Sequence, residues 1–154
     1  HCVCPAERGG ENALMDHEIA YLLMRDANPD YVRALMQDDA MMIPKNVVDG
    51  KELRPDRAGP VFMLTGEGRL HMRYTMRKRN VVWRDDPLVR EAVSWLENLL
   101  KSDSPYIYRA TLQPGWGLLS NNVLHDRSAF EDAEAPANKR LLYRARYHDR
   151  IAGT

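Results

Sequence analysis

The segment from Gly115 to Arg127, Gly-Trp-Gly-Leu-Leu-Ser-Asn-Asn-Val-Leu-His-Asp-Arg, carries the residues best suited to chemistry. Pro114 and Gly115 predict a turn, and the apolar segment after it delivers one imidazole, His125, with Asp126 and Arg127 directly behind it. Leu118, Leu119, Val123 and Leu124 predict a mostly buried strand. An imidazole held at the end of a rigid strand has few rotamers left, which suits a metal ligand or a general base. A hydrogen-bonded structural histidine fits the same position, so His125 alone decides nothing.

The second informative stretch is Lys139 to Tyr147, where period-2 alternation predicts a strand. Arg140, Leu142, Arg144 and Arg146 then share one face, and Leu141, Tyr143, Ala145 and Tyr147 the other. With the arginine face in water this is an ordinary half-buried strand. With that face turned inward, the guanidinium groups must meet anions, because an unpaired buried cation costs several kcal/mol. A dicarboxylate would be such an anion.

The pattern Leu-x-x-Asn-Asn-x-Leu-His-x-Arg-x-x-Phe, from Leu118 to Phe130, followed by Lys-Arg-Leu-Leu-Tyr-Arg-Ala-Arg from Lys139, resembles the C-terminal half of a known enzyme group. These are the Fe(II)/2-oxoglutarate-dependent dioxygenases of the taurine dioxygenase and clavaminate synthase-like superfamily. The opening Pro5 to Asn12, with Gly9-Gly10-Glu11, is similar to that family's Gly-Gly-[Asp/Glu] segment, which follows an iron-binding strand. The resemblance implies that His125 is the distal iron ligand and that Arg140 grips the distal carboxylate of 2-oxoglutarate. It makes Arg144 the second arginine of the family's Arg-x-x-x-Arg pattern. It also implies the cofactors Fe(II) and 2-oxoglutarate (as cosubstrate), oxidation of a small-molecule substrate by hydrogen abstraction from carbon, and a double-stranded β-helix fold.

The family's first two ligands come from a His-x-[Asp/Glu] pair. None occurs here, since His1, His17, His71, His125 and His148 are followed two residues later by Val3, Ile19, Arg73, Arg127 and Arg150. The pair is therefore expected before His1, with the chain a C-terminal portion that is inactive by itself. Two other classes compete. One is a metal-free binding or scaffold domain of the same fold, with Arg140 and Arg144 holding an anion. The other is a cupin-like metalloenzyme in which His71 and His125 converge. Nucleophilic catalysis is set aside: Ser120 and Ser128 flank His125, but no glycine-framed nucleophile turn is present.

Several elements must position these groups. His1 to Cys4 predicts a short strand, with a Pro/Gly-rich turn to residue 12. Asp16 is a candidate cap for a helix with Ile19, Leu22 and Leu23 on its apolar side. Asn28-Pro29 starts a second helix bearing Val32, Leu35 and Met36. From Met42 to Pro60 the pattern breaks into a long loop, either a lid or disordered. Val61–Thr65 and Arg69–Thr75 form a hairpin around Gly66-Glu67-Gly68, in which His71, Arg73 and Thr75 share a polar face. If that face lines a cavity, these three are substrate contacts, as is Arg127; alternatively Arg127 pairs with Asp126 or Asp132. Asp85-Asp86-Pro87 starts the clearest helix, with Leu88, Ala92, Trp95, Leu96, Leu99 and Leu100 on its buried face and Trp95 in the core. A strand over Tyr106–Leu112 follows.

Composition is ordinary for a globular domain: 44% hydrophobic and 29% charged, with a formal net charge of zero over 154 residues. These features predict one α+β domain over residues 1–154, a jelly-roll, cupin-like core with inserted packing helices, its N-terminal strands missing. Zero net charge implies no general attraction to nucleic acid, and the basic cluster Arg73 to Arg79, with Lys78, reads as a solvated face. No apolar run is long enough to span a bilayer. The reading is a cytoplasmic protein with a small-molecule partner, for which a homo-oligomer remains open. Cys2 and Cys4 read as free thiols in a reducing compartment rather than a disulfide or a zinc clip.

Overall fold

The computed structural model describes residues 1–76, 81–147 and 150–151. In chain order its elements are β1 (Cys2–Cys4), β2 (Arg8–Gly9), β3 (Asn12–Asp16), α1 (His17–Ala27), α2 (Pro29–Leu35), β4 (Met41–Ile43), β5 (Asn46–Val48), β6 (Lys51–Arg54), β7 (Arg57–Gly59), β8 (Phe62–Leu64), β9 (Leu70–Met72), β10 (Val82–Trp83), α3 (Pro87–Lys101), β11 (Tyr108–Ala110), β12 (Val123–Arg127), β13 (Phe130–Glu131) and β14 (Leu141–Leu142). Mixed helix and short antiparallel strands bear out the α+β expectation. Of the basic cluster, Arg77, Lys78 and Arg79 lie outside the described residues.

The chain divides into two compact units. One joins His1–Asp16 to Pro105–Thr154, and the other is His17–Ser104.

The unit built from the chain ends holds three antiparallel sheets: β11-β3-β12, β1-β14 and β2-β13. Its central strand, β3, was not expected from the sequence, which reads there as the end of a turn. His125 of β12 stands opposite Leu14 of β3, and Phe130 of β13 opposite Gly9 of β2. The predicted turn is present. Trp116 N–H donates to the Gln113 carbonyl at 3.0 Å, with Gly115 at φ +83°, the type II arrangement of Pro then Gly. The predicted strand is shorter than expected. Leu118 and Leu119 are exposed, 49% and 74%, and only Val123–Arg127 pairs. The Lys139–Tyr147 strand likewise contracts to Leu141–Leu142 on β1. Cys2 is buried and Cys4 partly buried, and both are free.

The second unit carries most of the core. Among the buried hydrophobic side chains of the described residues, only Cys2 and Met15 belong to the first unit. Asn28 caps α2, its side chain accepting from Asp30 N–H at 3.0 Å, and Pro29 occupies the first turn, where no donor is needed. Asp86 caps α3 by accepting from Leu88 N–H at 2.8 Å. The buried face of α1 is His17, Ala20 and Met24, with Leu22 exposed, so the expected Ile19/Leu22/Leu23 stripe is rotated. On α3 the buried residues are Val89, Ala92, Val93 and Leu96; Trp95 is only half-buried, lining an open groove with Tyr31 and Arg90.

The expected loop at Met42–Pro60 is structured. Sheet β10-β4-β7 contains its ends, and β5-β6 forms a hairpin around Asp49-Gly50, both at positive φ. Two left-handed central residues are what a type I′ turn requires. The hairpin β8-β9 is present as expected, with Phe62 opposite Met72. It stops at Met72, so Arg73 and Thr75 leave the strand.

Candidate functional site

In β12 the alternation places Val123, His125 and Arg127 on one face. His125 is exposed rather than buried. Its Nδ1 lies 3.1 Å from the Val123 carbonyl oxygen. A carbonyl can only accept, so Nδ1 carries the proton in this contact, and Nε2 is the ring nitrogen that it leaves unengaged. A histidine that ligates a metal is commonly oriented in this way, by a hydrogen bond from its other nitrogen.

Arg127, on the same face as His125, places its guanidinium carbon 4.2 Å from the centroid of the Phe130 ring. Arg140 places its own 4.9 Å from that centroid. One aromatic ring thus serves two cations, each such contact contributing about 0.5–1 kcal/mol where solvent reaches it. Arg127 forms no ion pair with Asp126 or Asp132 among the described residues, so the structural-partner alternative does not hold. Asp132 instead accepts the backbone N–H of Arg140 at 2.8 Å, fixing the start of β14.

Arg140 and Leu142 are half-buried, whereas Leu141 and Tyr143 are 43% and 64% exposed. At this end the strand therefore turns its Arg140 side inward. Arg144 lies beyond β14 and is exposed, as is Arg146. Among the described residues no carboxylate pairs with the Arg140 guanidinium.

The Gly9-Gly10 pair wedges into this cluster. Both have positive φ, +72° and +75°. A Cβ on Gly9 would meet the Ala129 carbonyl oxygen at 2.3 Å, and one on Gly10 would lie 3.6 Å from Arg140 Nε and from Phe130 Cβ. Gly10 N–H donates to Ala129 O at 3.0 Å, and Glu11 exchanges backbone and side-chain bonds with Ser128. Arg8 and Glu131 form an ion pair across β2-β13. The hollow between Arg140, Gly10, Cys2 and Leu112 is ≈ 10 Å³, room for about one water molecule. That hollow is too small for a dicarboxylate.

The other expected contacts lie in the second unit. His71 sits in β9 opposite Met63 and is half-buried, as is Thr75. Arg73 sends its guanidinium to the Met41 carbonyl at 3.1 Å. Burial, helped by the nearby Arg57 charge, pushes its pKa down. Among the described residues no group of three or more His, Cys, Asp or Glu side chains gathers to hold a metal ion. No described helix is long and apolar enough to cross a membrane.

Comparison with known proteins agrees with the motif resemblance. A "Uridine-5'-phosphate dioxygenase" from Amycolatopsis sp is 29% identical over 153 residues, covering 96% of this chain and 53% of that protein. The chain thus spans about half the length of that curated relative. The model of the family described as "Taurine catabolism dioxygenase TauD, TfdA family" matches residues 1–146. With nearly the whole chain matched, this protein belongs to the TauD/TfdA family.

Proposed function

We propose that this chain is the C-terminal part of an Fe(II)- and 2-oxoglutarate-dependent oxygenase that oxidises a small molecule, its strands belonging to a double-stranded β-helix core. The observation that carries the reading is Arg140, a half-buried guanidinium with no carboxylate partner, clustered through Phe130 with the β12 face that bears His125. A cation placed in this way needs an anion, and a planar guanidinium matches a carboxylate in two parallel hydrogen bonds.

In this reading Arg140 binds the distal carboxylate of 2-oxoglutarate. Phe130 covers one side of the guanidinium and restricts its rotation, and the Gly9-Gly10 turn holds Phe130 and Arg140 from behind. His125 supplies one metal donor through Nε2, with the remaining donors coming from outside the described residues. When bound, iron supplies the redox chemistry that couples cosubstrate oxidation to substrate oxidation. Arg127 and Arg144 are further cations for anionic groups, and the substrate-contact roles of His71, Arg73 and Thr75 belong to the same proposal. The name of the Amycolatopsis relative points to a nucleoside monophosphate as the substrate class.

The test is release of succinate from 2-oxoglutarate by the whole protein with added Fe(II). His125→Ala abolishes that release and Fe(II) binding together. Turnover of His125→Ala at the wild-type rate would show that this imidazole holds no metal.

A further inference from the structure

A second concentration of positive charge lies in the other unit, away from the Arg140 cluster in sequence. Arg73 leaves the end of β9 and lays its guanidinium over Gly59 of β7, whose register partner is Met41. A Cβ at position 59 would come within 2.9 Å of Arg73 Nη2, so the guanidinium passes close over this glycine to reach the Met41 carbonyl. Arg57 precedes Gly59 by two residues and therefore emerges on the same face of β7. It is exposed and close enough for its charge to act on Arg73.

Neither guanidinium has a carboxylate partner among the described residues, and Arg73 Nε is buried without a hydrogen bond. The adjacent Asp56, just before β7, forms no ion pair with either; its Oδ1 accepts the Lys45 backbone N–H at 2.7 Å. Two like charges held side by side, one partly desolvated, are unfavourable unless an anion joins them. A strut between β9 and β4 would need Arg73 alone and leaves Arg57 unexplained.

We propose that Arg57 and Arg73 form an anion site that takes the phosphate of a phosphate monoester. Two positive charges with no acid between them match a group that carries close to two negative charges at neutral pH, where a single carboxylate would leave one cation uncompensated. Guanidinium forks also suit three phosphate oxygens. Its role as a substrate subsite rests on the oxygenase reading, whereas its existence as a phosphate site does not.

The experiment is calorimetric titration of the whole protein, without iron or 2-oxoglutarate, by uridine 5'-phosphate, inorganic phosphate and uridine. Saturable binding is expected for the monoester, weaker binding for inorganic phosphate and none for uridine. Arg57→Ala, at an exposed side chain with no bond to lose, weakens the monoester about tenfold, and Arg57→Lys restores part of it. Arg73→Lys weakens it as well. Unchanged affinity in Arg57→Ala, or uridine binding as tightly as its phosphate, overturns the site. Inorganic phosphate binding as tightly as the monoester overturns the monoester assignment. Loss of succinate formation in a separate assay would count against the oxygenase reading and leave these titrations intact.

Discussion

Replacing Gly9 by alanine isolates what holds the Arg140 cluster together. Gly9 has φ +72°, and an alanine there carries a left-handed penalty of about 1–2 kcal/mol. Its Cβ would also stand 2.3 Å from the Ala129 carbonyl oxygen, which is backbone and cannot swing aside. β2 and β13 must separate, loosening the bonds from Gly10 N–H to Ala129 O and from Glu7 N–H to Glu131 O, each 3.0 Å long. At about 1 kcal/mol per bond, the total cost reaches about 3–4 kcal/mol. Gly115 is the matched control: it lies in the same unit, has φ +83° and has nothing within 4 Å of an added Cβ. Gly115→Ala therefore costs only the conformational penalty of about 1–2 kcal/mol. Urea denaturation of the pair, compared at constant slope, reads the difference. Gly9→Ala also weakens 2-oxoglutarate binding, because Gly10 and Phe130 no longer support Arg140, while Gly115→Ala leaves it unchanged. Equal destabilisation by the two variants, within about 0.5 kcal/mol, would refute the close-approach argument.

Three further outcomes follow from particular groups. Phe130→Leu removes the ring beneath both guanidinium groups and lowers 2-oxoglutarate affinity about two- to fivefold by calorimetry, with kcat less affected than KM. Tyr74 is half-buried with its hydroxyl buried and without a hydrogen bond, and desolvation, with a contribution from Glu97, raises its pKa above the ordinary value of 10.0. The unfolded phenol ionises first, so stability is intact below pH ~10 and falls as pH rises further; Tyr74→Phe flattens that limb of a thermal-denaturation profile and leaves neutral-pH stability nearly unchanged. With His125 as one of several metal donors in the proposed reading, the 154 residues alone bind Fe(II) more weakly than the whole protein; equal affinity of the two in a binding assay would contradict this.

Local rules that depend on neighbouring residues were legible. The Asn28 and Asp86 caps, each with proline behind it, and the Pro114-Gly115 turn stand where the sequence places them, because capping and turn chemistry need no tertiary partner. The Met42–Pro60 segment was misread although it carries a strong hairpin signal, Asp49-Gly50 between Asn46-Val47-Val48 and Lys51-Glu52-Leu53. Its exposed strands lack the alternation expected of a buried face. β3 was missed because five residues between a glycine turn and a helix show no period; only pairing with β11 and β12 defines it. For the site, the motif brought out Arg140 and His125. Which way Arg140 faces depends on β14 pairing with β1 and on Phe130, long-range contacts that no local pattern encodes. The approach of Arg73 to β7 was equally hidden, since it depends on the long-range passage of its guanidinium over Gly59.

The central claim is that Arg140 holds the far carboxylate of the cosubstrate. It is tested most directly by titrating the whole protein, wild type and Arg140→Ala, with 2-oxoglutarate and with 2-oxobutanoate, which lacks that carboxylate. The account predicts that Arg140→Ala weakens 2-oxoglutarate at least about tenfold and leaves 2-oxobutanoate unchanged, the signature of one charge-assisted contact removed. Equal weakening of both ligands, or of neither, would contradict it.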